Sequence, residues 1–122
     1  LVSMMAEILR TSPPSVRELR LGSNNFGPVG CRALCSILAD PGCHIRRLDI
    51  SGNPIGDCGV EVIADALREN TSLDQLVLWS CGITDEGASQ LRSALAPGAN
   101  GTLIACEVED NYIGGQLLRE ID

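Results

Sequence analysis

Three stretches of the chain align end to end without a gap: "VRELRLGSNNFGPVGCRALCSIL", "IRRLDISGNPIGDCGVEVIADAL" and "LDQLVLWSCGITDEGASQLRSAL". They begin at Val16, Ile45 and Leu73, and a fourth begins at Leu103, so the periods are 29, 28 and 30 residues. A period of this size means one supersecondary unit per repeat, each stacked on the next. In register stand Leu19, Leu48, Leu76 and Cys106, and two residues later Leu21, Ile50, Leu78 and Val108. Then come Asn24, Asn53, Cys81 and Asn111, followed by Phe26, Ile55, Ile83 and Ile113. Further along are Gly30, Gly59 and Gly87, then Leu34, Ile63 and Leu91, then Leu38, Leu67 and Leu95.

Each column has a physical reason. The first two apolar columns are two residues apart, so both side chains face one side of a short strand. The last two are four apart and form the inner stripe of a helix. A strand and a helix that each expose one apolar face must cover each other. One repeat cannot do this alone, whereas a stack buries a continuous core. The Asn column falls where the chain leaves the strand, and its amide can satisfy turn backbone groups that would otherwise cost about 1–3 kcal/mol each. Cys81 fills the same slot with a weak S–H donor. The recurring glycines read as tight backbone turns rather than a phosphate cradle.

The spacing predicts helices near 1–10, 28–39, 57–69 and 85–96, with Thr84 as a candidate cap for the last. Residues 1–15 fit the end of an earlier repeat that "TSPPS" terminates, since proline cannot continue a helix. The expected organisation is one domain over 1–122: a partial repeat 1–15, repeats 16–44, 45–72 and 73–102, and an atypical or truncated repeat 103–122. In that last repeat Leu117 stands where the others have glycine. The chain opens on Leu1 with the apolar pattern already under way at "MMAEIL", so an excerpt of a longer chain is expected.

With these residues in view, the chain resembles the leucine-rich repeats of the ribonuclease-inhibitor type. "VRELRLGSNNFG", "ADPGCHIRRLDISGN" and "LVLWSCGITDEGASQL" carry the likeness, with Asn repeats, a Cys repeat flanked by Trp and "GIT", and the DPGC linker. The resemblance implies an α/β solenoid, a horseshoe segment with a parallel β-sheet on its concave face and helices on its convex face. Its members include an inhibitor of ribonuclease, the sensor regions of NOD-like receptors, a GTPase activator and scaffolds. The repeat type therefore speaks for fold far more than for any one function.

The formal charge is −7, from 16 acidic and 9 basic residues. That argues against a nucleic-acid or anionic-membrane surface and suits a basic protein partner. No apolar run reaches the length of a membrane helix. Six cysteines carry no C-x-x-C pair, and the single His44 completes no zinc site. Four of the six occupy small buried positions of the repeat, so reduced thiols and a cytoplasmic or nuclear location are expected. The sequons at Asn70 and Asn100 point the other way and carry less weight.

No catalytic motif is present, and the expectation is a protein that is not an enzyme, with no cofactor, no metal and no small-molecule substrate. His44 lies in a linker, and the carboxylates Glu107, Glu109 and Asp110 read as a solvated acidic strand. Between the core positions, Glu18, Arg20 and Gly22, then Arg47, Asp49 and Ser51, then Gln75, Val77 and Trp79, then Ala105, Glu107 and Glu109 face the concave side. The candidate partner-binding residues are Trp79, Val77, Arg20, Arg47, Asp49, Glu107 and Glu109, an aromatic anchor with flanking charge. The function expected is protein–protein interaction as part of a scaffold, sensor or inhibitor. The alternatives are an enzyme regulator, such as a ribonuclease inhibitor or GTPase activator, and the sensor region of a NOD-like receptor.

Overall fold

The computed structural model describes residues 17–23, 25, 27–96 and 105–115. Strands and helices alternate along it: β1 (Glu18–Arg20), α1 (Pro28–Leu38), β2 (Arg47–Asp49), α2 (Gly56–Glu69), β3 (Gln75–Val77), α3 (Asp85–Ala94) and β4 (Ala105–Glu107). The strands form one parallel sheet in chain order. Its register pairs Leu19 with Leu48, Leu48 with Leu76 and Leu76 with Cys106, so the first sequence column is a row of hydrogen-bonded neighbours. The helices pack side by side behind the sheet, α1 on α2 and α2 on α3. The helix expected at 1–10 lies outside the described residues, as do Asn24, Phe26, Asn100 and Leu117.

The core is a single layer between sheet and helices. Leu48, Ile50, Leu76 and Leu78 from the strands, and Leu34, Leu38, Val60, Ile63, Leu67 and Leu91 from the helices, are at most 2 % exposed. Full burial of each such side chain contributes about 1.5–3 kcal/mol relative to leaving it in water. Leu19 is only partly buried, because β1 has a described neighbour on one side alone.

Asn53 is 1 % exposed, and its side-chain N–H groups donate to the carbonyls of Leu21 (2.9 Å), Ile50 (2.8 Å) and Ser51 (3.4 Å). Asn111 repeats this toward Leu78 (2.8 Å), Val108 (2.9 Å) and Glu109 (3.1 Å), and its Oδ1 accepts from the backbone N–H of Cys81 (2.9 Å) and Ile83 (3.0 Å). Cys81 keeps a weaker version: its thiol donates to the carbonyls of Ile50 (3.5 Å) and Trp79 (3.4 Å). Each amide thus bonds a carbonyl of the repeat before it, and the turn backbone is satisfied across the seam.

Two expectations are corrected here. Thr84 is the N-cap residue of α3 but makes no side-chain capping bond there. The acceptor comes from the previous repeat: Asp57 Oδ1 accepts from the N–H of Thr84 (2.9 Å) and Gly87 (3.1 Å), and Asp57 Oδ2 from the Thr84 hydroxyl. Asp85 repeats the device toward Gly114 N–H at 2.7 Å. Gly30, Gly59 and Gly87 sit inside helices, not in turns. At Gly87 an added Cβ would fall 2.4 Å from Asp57 Oδ1, and at Gly59 one would fall 2.2 Å from Ile55 Cγ2, so close approach rather than backbone freedom requires glycine. The left-handed position of the repeat is instead Ser23, Gly52, Ser80 and Asp110, all with positive φ just beyond the strands.

Candidate functional site

Alternation along each three-residue strand sends the residues between core positions to the face away from the helices. Parallel pairing then stacks them. One row is Glu18, Arg47, Gln75 and Ala105; the next is Arg20, Asp49, Val77 and Glu107. Gly22, Ser51, Trp79 and Glu109 follow where the strands end.

A hydrogen-bonded belt crosses the sheet. Arg20 Nε and Arg47 Nη1 both donate to Glu18 Oε1, the latter at 3.0 Å. Arg47 Nε donates to Gln75 Oε1 (3.1 Å), and Gln75 Nε2 donates to Glu107 Oε2 (2.9 Å). The Arg20 hydrogen bond, reinforced by the charges of both guanidiniums, holds the Glu18 carboxyl below its usual range. Asp49 is turned back on its own strand end, where Oδ1 accepts from the Ser51 N–H at 3.0 Å.

Trp79 is 46 % exposed at the end of β3, and its backbone N–H is fixed by the Ser51 hydroxyl at 2.9 Å. Val77 does not join it as an exposed apolar spot: it is 2 % exposed and lies outside the continuous core. A short β-branched side chain between Asp49 and Glu107, in strands about 4.8 Å apart, is overshadowed by longer neighbours. Arg20 has 75 % of its side chain exposed and Arg47 29 %. Glu107 is half-buried and Glu109 exposed. The structure therefore brings Trp79, Arg20, Arg47, Asp49, Glu107 and Glu109 to one face and withdraws Val77 from its surface.

Residue reading missed Tyr112. It is 78 % exposed, pairs with Thr84 in an isolated bridge, and lies two residues after Asp110, which accepts from the Ser80 hydroxyl. Its signal was available: an aromatic one residue past the Asn column, where a loop should be polar. Glu18 and Gln75 were placed on this face by alternation, but not as the ties that hold Arg47.

Two of the buried thiols, Cys35 and Cys81, are made less acidic by their surroundings. Burial pushes the Cys81 thiol up to about 11. Cys35 is raised by its hydrogen bond with the Cys31 thiol and by burial. Among the described residues no group of His, Cys, Asp and Glu side chains could hold a metal ion, and no helix is long and apolar enough to cross a membrane. Asn70 is 4 % exposed and fully engaged, donating to the Leu38 carbonyl (2.8 Å) and accepting from the N–H of Ser72 (3.0 Å) and Leu73 (2.7 Å). It offers no amide for glycosylation in the folded chain.

The chain belongs to the leucine-rich repeat family, whose profile matches residues 12–35, 43–64 and 69–91. Its repeats are of the ribonuclease-inhibitor type. It is 30 % identical to the ribonuclease inhibitor of mouse (Mus musculus) over 140 residues, covering 91 % of this chain and 30 % of that protein. It is 35 % identical to the NACHT, LRR and PYD domains-containing protein 5 of cattle (Bos taurus), covering 77 % of this chain and 9 % of that protein. The chain thus spans less than a third of the length of these relatives. The solved leiomodin-1 actin-binding site 2 superposes with a TM-score of 0.79 over 95 % of this chain and 67 % of its own, at 20 % identity, a likeness of fold.

Proposed function

We propose that the chain is a non-catalytic protein-interaction module that receives its partner on the concave strand face, with Trp79 as the anchor. The observation that carries the reading is Trp79 itself: a half-exposed indole just past β3, its backbone N–H held by the Ser51 hydroxyl of the preceding repeat. Large aromatic side chains dominate binding energetics at such positions. The belt of Glu18, Arg47, Gln75 and Glu107 supports it by pre-ordering charged groups, which lowers the entropy lost on docking. Relatives named for inhibiting ribonuclease, and a structural neighbour named for binding actin, support a protein as the partner. Six free cysteines, four of them buried, support an intracellular, reducing setting.

Partner capture with the wild-type chain and with Trp79→Ala is the test. The expected loss is more than about 1 kcal/mol, or over fivefold in affinity, with the denaturation midpoint little changed. Equal capture by both chains would overturn the assignment. The likeness to ribonuclease inhibitor favours one narrower version, in which the partner is an enzyme and binding blocks it. That version predicts slower RNA cleavage by a ribonuclease in the presence of the chain; an unchanged rate removes it and leaves the interaction module standing.

A further inference from the structure

The sequence holds one Trp, one Tyr and one Phe, and among the described residues the core is built of aliphatic and Cys side chains alone. The two described aromatics are both exposed, Trp79 at 46 % and Tyr112 at 78 %. They lie on one edge of the stack, where consecutive repeats pass from strand to helix. Trp79 follows β3; Tyr112 follows β4, and its N–H donates to the Ile83 carbonyl at 2.8 Å. One strand spacing of about 4.8 Å across and three residues of roughly 3.4 Å along put the two positions within about 11 Å. Glu109 and Asp110 stand between them. The Ser80 N–H donates to the Glu109 carbonyl at 3.3 Å, and the Asp110 carboxylate accepts from the Ser80 hydroxyl. The strand-to-helix segments 21–27, 50–55, 78–84 and 108–113 hold no basic residue, and Glu109 and Asp110 are their only carboxylates. Among the described residues neither is in an ion pair. Arg20 ends β1, two strands from β3, with Asp49 beside it on β2; Arg47 is held by Glu18 and Gln75; Arg92 is in the last turn of α3; Arg119 lies outside the described residues. The other acids nearby are Glu107, which takes the Gln75 amide, and Asp85 and Glu86 in the first turn of α3, where the helix dipole offsets part of their charge.

Resting on Trp79 as the concave-face anchor, we infer that this edge takes a basic segment of a partner protein, seating a lysine or arginine between Trp79 and Tyr112 with its cation over Glu109 and Asp110. Such a side chain suits both surfaces at once. Its apolar stem covers aromatic area while its head stays with the carboxylates. The head is also drawn to the faces of the indole and phenol rings. An acidic segment is repelled by Glu107, Glu109 and Asp110 together. A neutral apolar segment can cover Trp79 and Tyr112, but it strips water from carboxylates and offers them no cation in return. The charge therefore decides among partners that the two rings alone would accept. The Ser80 hydroxyl holds the Asp110 carboxylate in place before anything docks, which lowers the ordering cost.

Short labelled peptides of equal length test this: one with arginines among neutral residues, one with citrulline in their place, which keeps the shape and drops the charge, and one with glutamates. Trp79 is the sole tryptophan, so a change in its emission reports this edge, and anisotropy of the label gives the affinity. The arginine peptide is expected to shift the emission and to bind about three- to tenfold tighter than the citrulline peptide, with raised salt shrinking the difference. Glu109→Gln combined with Asp110→Asn should erase that advantage, and Tyr112→Ala should weaken the arginine peptide about threefold or more. Glu61→Gln combined with Glu69→Gln removes the same charge from exposed positions of α2 and should leave the affinity unchanged. Equal binding of the citrulline or glutamate peptide, full affinity after the Glu109 and Asp110 changes, an equal loss from the α2 changes, or no binding by any peptide overturns the proposal. If the citrulline peptide binds as tightly and Trp79→Ala abolishes it, the basic partner falls and the concave-face anchor stands. If the arginine peptide keeps its affinity for the Trp79→Ala chain, the concave-face reading falls with the proposal.

Discussion

Asn53 and Cys81 fill the same slot of successive repeats with different chemistry. Asn53 supplies donors to three carbonyls, whereas Cys81 supplies one weak donor and leaves its own N–H, and that of Ile83, to Asn111. Asn53→Ala strands buried carbonyls of two repeats and should cost about 3 kcal/mol, read as a lower urea midpoint at unchanged slope. Asn53→Cys should cost less, since a thiol is demonstrably tolerated in this slot. The thiols also set a pH dependence. With Cys81 raised to about 11 against roughly 8.5 in an unfolded chain, folded protein holds a proton that unfolded protein releases. Stability is therefore constant below the lower value and falls as pH rises from about 8.5 toward 11. Urea midpoints across that range check the sign, and Cys81→Ala should flatten the slope. At neutral pH only Cys58 is exposed, so it should react with a thiol reagent first and the buried four only on unfolding.

At the scale of elements, the helix starts depend on the neighbouring repeat. Asp57→Ala removes the acceptor for two backbone N–H groups of α3 and should cost about 1–2 kcal/mol, as loss of an N-cap does. Thr84→Ala deletes only the hydroxyl contact and should cost less, although Thr84 is the formal cap residue. Gly87→Ala should destabilise by about 1–3 kcal/mol by driving Asp57 off those groups. Chemical denaturation of the three variants ranks them. Strands and helices were legible in the sequence because their signal is periodic and local: the helices at 28–38, 56–69 and 85–94 lie within two residues of the spacing. The caps were not, because Asp57 acts on residues 27 and 30 positions away, a distance at which no single-repeat pattern looks. The glycine column was seen and misread for the same reason. What it accommodates at Gly87 is the side chain of another repeat.

For the whole molecule, the parallel sheet with helices behind it follows from stacking units that cannot bury their faces alone. That the residues between the core positions stand away from the helices was legible from alternation, as Arg20, Asp49 and Glu107 illustrate. The topography they form was not. Val77 occupies an outward position by period and is buried by its neighbours, since exposure depends on side-chain length across strands rather than along them. The belt needs knowledge of pairing: Arg47 is held by the Glu18 carboxylate and the Gln75 amide, and that amide in turn donates to Glu107 on the far strand.

The capping acids give the stack a sense of direction. Asp57 and Asp85 each sit in one repeat and serve backbone amides in the next. Removing a repeat from the amino-terminal side strips the side-chain cap from the helix behind it, whereas removing one from the carboxyl-terminal side takes the Asn111 amide away from the turn in front of it, so the two ends of the stack fail in different places.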